Sequence, residues 1–146
     1  MDQRIIPGQR ADNWTLGMSE TDIRAAFDYK PKRQRTCLKY EQVDFFLDKE
    51  QELVVMHLHG DYDGTFRGIG VGSTLADVQA QLGRPYFHLG GVFCVEGFPG
   101  ISFMLSPRKM SHFYGLEDEE PEDLENLYGY ALKDLKIERL VISRES

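Results

Sequence analysis

Apolar and polar residues alternate over several short stretches of this sequence. In residues 43–48, every second side chain from Val43 onward is apolar, while Asp44 and Asp48 fall between them. This period of two is typical of a strand with one buried face. Similar apolar runs predict further strands at residues 37–40, 53–59, 92–96, 101–105 and 137–143.

Two helix starts share one pattern at an offset of 55 residues. The pattern is Gly-x-[Ser/Thr]-x-x-Asp-[Ile/Val]-x-Ala-x-[Phe/Leu], and it begins at Gly17 and at Gly72. Glycine permits a sharp turn into a helix. Ser19 and Thr74 are good N-caps, and aspartate three residues later resembles a capping box.

The shared order of helix and strands predicts an α+β fold with a tandem repeat. Each repeat contains a helix plus antiparallel strands, and together they form a sheet with helices on one face. The 146 residues fit a single domain, 1–146. We place repeat 1 at about residues 5–60 and repeat 2 at about residues 64–146.

The second repeat contains a predicted helical insertion, residues 106–136. Apolar residues spaced three and four apart predict an amphipathic helix from about Pro121 to Asp134. Seven acidic residues lie just before and within its first turns: Glu117, Asp118, Glu119, Glu120, Glu122, Asp123 and Glu125. These acids either only stabilise the start of that helix, or also form a surface that attracts a basic partner. The sequence leaves both interpretations open.

Charge and composition restrict the classes of function. Asp and Glu number 24 against 17 Lys and Arg, giving a net charge of −7, which disfavours nucleic-acid binding. The densest basic stretch, residues 30–35, is interpreted as a solvated connecting loop. No run approaches the roughly 20 apolar residues of a membrane span, and no signal-like apolar stretch follows the first residues. We therefore expect a cytoplasmic protein that binds no membrane, with Cys37 and Cys94 reduced and buried.

Residues 57–61 carry the strongest pattern for metal chemistry. On a strand, His57 and His59 point to the same side, and two imidazoles with a nearby carboxylate can chelate zinc. This predicts, as an alternative, a metal-dependent hydrolase that uses His57, His59 and Asp61. Strand alternation also explains the two histidines without a metal, because the apolar positions 54, 56 and 58 are expected to face the core.

Short motifs resemble those of a group of small bacterial proteins. Ile6-Pro7-Gly8 and Leu16-Gly17-Met18-Ser19 resemble the "PG…LGMS" opening of that group, and residues 68–85 resemble its second motif. The group is largely uncharacterised, and some members are suspected immunity proteins. The tandem helix–sheet plan is also similar to β-lactamase inhibitor protein and to the small lipoprotein of the outer-membrane assembly machine. The resemblance implies binding of a protein through the sheet face and loops, with no catalytic residues.

We therefore expect a protein-binding module, not an enzyme and without a cofactor. Its predicted role is that of an immunity protein that neutralises a basic toxin domain. A structural or dimerising domain, and with it a homo-oligomer, is a further alternative. The candidate partner-binding residues lie in the insertion: Glu117, Asp118, Glu119, Glu120, Phe113 and Tyr114.

Overall fold

The computed structural model describes residues 4–88, 91–110 and 132–144. It confirms the predicted α+β class, with mainly antiparallel sheet and few helices. In the described residues, no helix is both long enough and apolar enough to cross a membrane. The strands are β1 (Ile5–Ile6), β2 (Arg10–Ala11), β3 (Trp14–Thr15), β4 (Lys32–Gln34), β5 (Cys37–Lys39), β6 (Val43–Leu47), β7 (Leu53–Leu58), β8 (Pro85–His88), β9 (Val92–Val95), β10 (Ile101–Met104) and β11 (Arg139–Ser143). The helices are α1 (Glu20–Ala25), α2 (Leu75–Gln81) and α3 (Pro107–Met110), with a 3₁₀ turn at Leu132–Asp134.

Strands β4 to β11 form one antiparallel sheet of eight strands, in the order β4-β5-β6-β7-β11-β10-β9-β8. Strands β4–β7 run in order from one edge, and β8–β11 run in order from the other. The two sets meet where β7 pairs with β11, and His57 is paired with Val141 within that junction. We call the strand pair β7–β11 the seam. The small sheet β1-β2-β3 is separate from the large one.

The same turn leads into both main helices. Gly17 and Gly72 have φ of +94° and +95°, a conformation that favours glycine. The Gly17 N–H donates to the Leu53 carbonyl at 2.7 Å, and the Gly72 N–H donates to the Ile137 carbonyl at 2.9 Å. The first turn is therefore bonded to the start of β7, and the second to the residues that lead into β11.

Both helices are capped by the residue that the sequence predicts. The Ser19 hydroxyl accepts from the Asp22 N–H at 3.2 Å, and the Thr74 hydroxyl accepts from the Asp77 N–H at 3.2 Å. Only the second helix completes the capping box, because the Asp77 carboxylate also accepts from the Thr74 N–H at 2.9 Å.

A short hairpin precedes each of these turns. Trp14 pairs with Ala11, and Ile69 pairs with Phe66, each around a two-residue turn. The first turn residues have φ of 52° and 51°, as expected for tight hairpin turns of this length. The two halves thus share a hairpin, a glycine turn, a capped helix and four strands in the same order.

The core lies on the face of the large sheet that the helices cover. Phe45 on β6 contacts Trp14 edge-on at 5.4 Å between ring centroids, and Phe27 lies 6.0 Å away. Ile23 of α1 and Val78 of α2 are fully buried in the same cluster. The helices α1 and α2 therefore pack against one face of the sheet. The side chains that alternate with these core positions lie on the opposite face.

Several elements differ from the sequence-based prediction. Residues 32–34, expected in a loop, form the exposed edge strand β4. Residues 85–88, for which the sequence predicts no strand, form β8; proline is tolerated at the first residue of an edge strand. Cys37 and Cys94 lie on β5 and β9, and only Cys37 is buried as expected, since Cys94 is half-buried. The predicted helix over 121–134 lies outside the described residues except for the 3₁₀ turn.

Candidate functional site

A polar cluster lies at the seam, on the sheet face opposite the helices. It contains Asp44 on β6, His57 on β7, His59 directly after β7, and Arg139 at the start of β11. Alternation along the strands turns these side chains away from the core that Phe45 marks. We call these four residues the seam cluster.

Asp44 is the centre of the seam cluster. It is only 3% exposed, so its carboxylate needs partners that replace water. Its Oδ2 accepts from Arg139 Nη1 at 2.9 Å, and its Oδ1 lies 3.0 Å from His59 Nε2. Burial raises the pKa of Asp44, but the hydrogen bonds from Arg139 and His59 outweigh it and hold the pKa below its ordinary value. Asp44 is therefore ionised at neutral pH, with both oxygens engaged.

His57 is neutral at physiological pH. Burial, reinforced by the positive charge of Arg139, lowers the pKa of His57 from 6.5 to about 4. Its Nδ1 lies 3.2 Å from Arg139 Nη1 and accepts a hydrogen bond from that guanidinium, which cannot act as an acceptor. The imidazole also lies 4.6 Å from the Phe46 ring, between centroids.

The described residues hold Arg139 through one nitrogen. Its Nη1 serves both Asp44 and His57, and its side chain is 29% exposed. In residues 4–88, 91–110 and 132–144, neither Nε nor Nη2 of Arg139 has a protein partner. Two hydrogen-bond donors on a positioned guanidinium thus remain available to a ligand.

Asp44, His57 and Arg139 of the seam cluster line a cleft of about 540 Å³. Its apolar lining includes Phe46, Met104 and Pro107, and its polar rim includes Arg35 and Lys39. A second cleft, of about 600 Å³, includes Tyr86 and Phe98 and extends beside the other half of the sheet. Apolar and charged groups are therefore mixed within a concave surface, as ligand sites require.

No family model matches the sequence, and neither a curated protein nor a solved structure matches it at a significant level. The roles of the residues in the cleft are therefore argued from its own geometry.

The corresponding positions in the second half carry none of this charge. Asp44 is paired with His57 between β6 and β7, and Ser102 is paired with Val141 between β10 and β11. Ser102 is 7% exposed, so both central positions are buried and polar. One half has a carboxylate beside an imidazole where the other has a hydroxyl beside a valine.

The predicted metal set is not assembled. His59 bonds to Asp44, Arg139 occupies Nδ1 of His57, and Asp61 is exposed beyond the end of β7. Within the described part of the chain, no three His, Cys, Asp or Glu side chains are grouped to hold a metal ion. A guanidinium between the carboxylate and the imidazole also repels a second cation.

The other predicted site residues, Glu117, Asp118, Glu119, Glu120, Phe113 and Tyr114, lie outside the described residues. Sequence reasoning missed Asp44 and Arg139 altogether. The alternation predicts that Asp44 faces solvent. Pairing residues 43–48 with 53–59 as a hairpin is the signal that would bring Asp44 next to His57. No local signal identifies Arg139, because its contact depends on the order of strands.

Proposed function

We propose that this chain is a protein-binding module whose partner contacts the sheet face that carries the seam cluster. The observation that carries the proposal is the cleft itself, where two nitrogen donors of Arg139 have no partner among the described residues and lie beside Phe46 and Met104. Arginine and aromatic side chains in concave, partly desolvated positions dominate the binding energy of protein interfaces.

The way that Arg139 is held supports this role. Asp44 and His57 fix the guanidinium before any partner arrives, so less side-chain entropy is lost on binding. A long side chain that is immobilised at an interface otherwise costs about 0.5–1.5 kcal/mol.

The dimensions of the sheet also fit a protein partner. Eight strands about 4.8 Å apart span roughly 34 Å. A face of that width, with clefts on both sides of the seam, can supply the roughly 800 Å² per partner of a standard interface.

We also propose that the two halves are a tandem repeat with an insertion in the second copy. The bridge from Ser19 to Glu52 corresponds to the bridge from Thr74 to Lys136. The two helix caps, Ser19 and Thr74, are 55 residues apart, whereas Glu52 and Lys136 are 84 residues apart. The second copy is therefore longer by 29 residues (84 less 55). The extra residues precede β11, where the acidic run Glu117–Glu125 occurs in the sequence.

The acidic run gives the proposal its more specific form, an immunity protein whose acids attract a basic toxin domain. Complementary charge raises the rate of association and selects the partner. This role is tested by co-expressing the chain with the product of a neighbouring toxin gene. The chain is expected to restore the growth of cells that produce the toxin. It is also expected to form a complex with the toxin that remains intact on gel filtration.

Once that partner is identified, two matched sets of variants locate the surface that binds it. One set neutralises Glu117, Asp118, Glu119 and Glu120, and the other replaces Phe46 by Ser and Lys39 by Glu in the cleft. Loss of affinity in the cleft set supports the sheet face, whereas unchanged affinity in that set contradicts it. Sedimentation of the chain alone tests the dimerising alternative.

A further inference from the structure

We propose that the cleft at the seam cluster receives a carboxylate that is carried next to an apolar side chain on the protein partner. The inference rests on the proposed function for the source of the carboxylate, but the local chemistry is independent of it. The partner group is an Asp or Glu side chain within a segment that also carries a large apolar residue.

The geometry of Arg139 is the first argument. Its Nη1 is engaged by Asp44 and His57, and no other described residue bonds to the edge formed by Nε and Nη2. That edge presents two nearly parallel N–H groups, which match the two oxygens of a carboxylate. A lysine at this position would offer a charge but not this paired geometry.

The charge balance of the cleft is the second argument. Its cations are Arg35, Lys39 and Arg139, and its acids are Asp44 and Glu138. Both oxygens of Asp44 are already bonded within the seam cluster. Among the described residues, Arg35 and Lys39 form no ion pair, so the cleft has a surplus of positive charge although the chain as a whole is acidic.

The rim adds a third argument. Lys39 is directly opposite Lys32 in the pairing of β4 with β5. Like charges directly opposite each other on neighbouring strands are destabilising. A bound anion would relieve this repulsion, which favours an acidic group from outside the chain.

The apolar lining selects what accompanies the carboxylate. Phe46 and Met104 are half-buried and lie beside neutral His57 in the same cleft. These groups make no favourable contact with a run of acidic residues, but they can bury an aromatic or aliphatic residue next to the bound carboxylate. A basic toxin domain still carries individual carboxylates, so the requirement is compatible with the acidic run elsewhere in the sequence.

The probe for the experiment is the blocked dipeptide N-acetyl-Phe-Glu-amide, with N-acetyl-Phe-Gln-amide as its neutral match. The nitrogen NMR signal of the Arg139 Nε–H group, assigned through Arg139→Lys, reports binding directly. We expect a saturable shift with the Glu peptide and at least tenfold weaker binding of the Gln peptide. Equal binding of the two peptides, or no shift of Arg139, would overturn the inference.

Variants at the rim test the charge argument without touching the seam cluster. Arg35→Asn with Lys39→Gln is expected to weaken binding of the Glu peptide about tenfold. Lys49→Gln with Lys133→Gln removes the same charge from exposed positions outside the cleft and is expected to leave affinity unchanged. Equal losses in the two double variants would contradict a local site.

Small anions distinguish the source of the carboxylate. Acetate and inorganic phosphate are expected to shift Arg139 only weakly, because they lack the apolar part. If either saturates the site more tightly than the Glu peptide, the ligand is a free anion and the inference of a partner segment is wrong. If the Glu peptide does not bind, but the Phe46→Ser, Lys39→Glu variant still loses affinity for the protein partner, this inference is wrong and the proposed function stands.

Discussion

Asp44 and Arg139 are 95 positions apart in sequence, yet Asp44 Oδ2 accepts a hydrogen bond from Arg139 Nη1 at 2.9 Å. Asp44 belongs to β6 and Arg139 to β11, with β7 between them in the sheet. This contact therefore crosses the seam and joins the two halves by a partly buried ion pair.

Replacing Asp44 by Asn is expected to lower the free energy of unfolding by about 2–4 kcal/mol. The substitution keeps the shape of the side chain but leaves the Arg139 guanidinium without its counter-charge. Urea unfolding measures the change. Asp63→Asn is the matched control, because the exposed Asp63 pairs with Arg4 at the surface and its loss should cost under about 1 kcal/mol. Equal effects of the two substitutions would show that the seam pair contributes no more than a surface pair.

Stability should fall on mild acidification because of His57. The folded protein holds the pKa of His57 at about 4, against 6.5 for the ordinary side chain. The unfolded chain therefore takes up a proton as pH falls through 6.5, while the folded protein does not until about 4. From pH 7 to pH 5 this should remove about 2 kcal/mol of stability. His57→Gln should flatten this dependence while its amide oxygen still accepts from Arg139; the same slope in both proteins would contradict the assignment.

Glu20, whose pKa Arg33 and Arg24 hold below its ordinary value, contributes to the acid limb below that range, and so does Asp44. The folded pKa of Asp44 is depressed, so its contribution is present above its unfolded pKa and is lost as pH falls through the folded value. In the His57→Gln protein, acid unfolding should therefore remain, but it should begin at lower pH.

The two helix caps should contribute unequally. Ser19→Ala is expected to cost about 1 kcal/mol, since one hydrogen bond to the first turn is lost. Thr74→Ala should cost more, because it also breaks the reciprocal capping box with Asp77. Chemical denaturation of both variants measures the difference. Thr21→Ala, at an exposed position inside α1, serves as the control and should change stability by less than about 0.5 kcal/mol.

Two glycines with similar backbone angles provide a matched pair. Gly100 and Gly68 have φ of +86° and +83°, so alanine is strained at both. A Cβ at Gly68 meets nothing within 4 Å, whereas a Cβ at Gly100 would collide with the backbone of Pro7 and Gly8. Gly100→Ala should therefore cost about 1–3 kcal/mol more than Gly68→Ala. It should also increase hydrogen exchange at the Gly8 N–H, which donates to the Gly100 carbonyl at 3.1 Å; equal costs would exclude a steric cause.

Local features of the fold could be predicted from the sequence, because their causes are local. The caps at Ser19 and Thr74 and the turns at Gly17 and Gly72 depend on residues within one helical turn. The central strands were also recognisable, since apolar alternation reports burial of one face. By contrast, β4 carries only exposed polar residues, and β8 begins with proline and gives an alternation too short to be recognised.

The candidate site could not be predicted, because it depends on strand order. The apolar alternation of β6 predicts that Asp44 faces solvent. Contacts on the second face of the sheet bury it instead. Its main partner, Arg139, comes from the last strand, and nothing near position 139 indicates that β11 pairs with β7. The histidines were identified correctly as neighbours, but their partners were not.

The position of the cleft across the seam has a thermodynamic consequence. A ligand there is held by Arg139 of one half and by Phe46 and Lys39 of the other. Binding free energy is then added to the cohesion of the two halves, and occupancy raises the melting temperature by mass action. The coupling is reciprocal: opening of β7 from β11 must weaken ligand binding by the same free energy by which the bound ligand stabilises the junction.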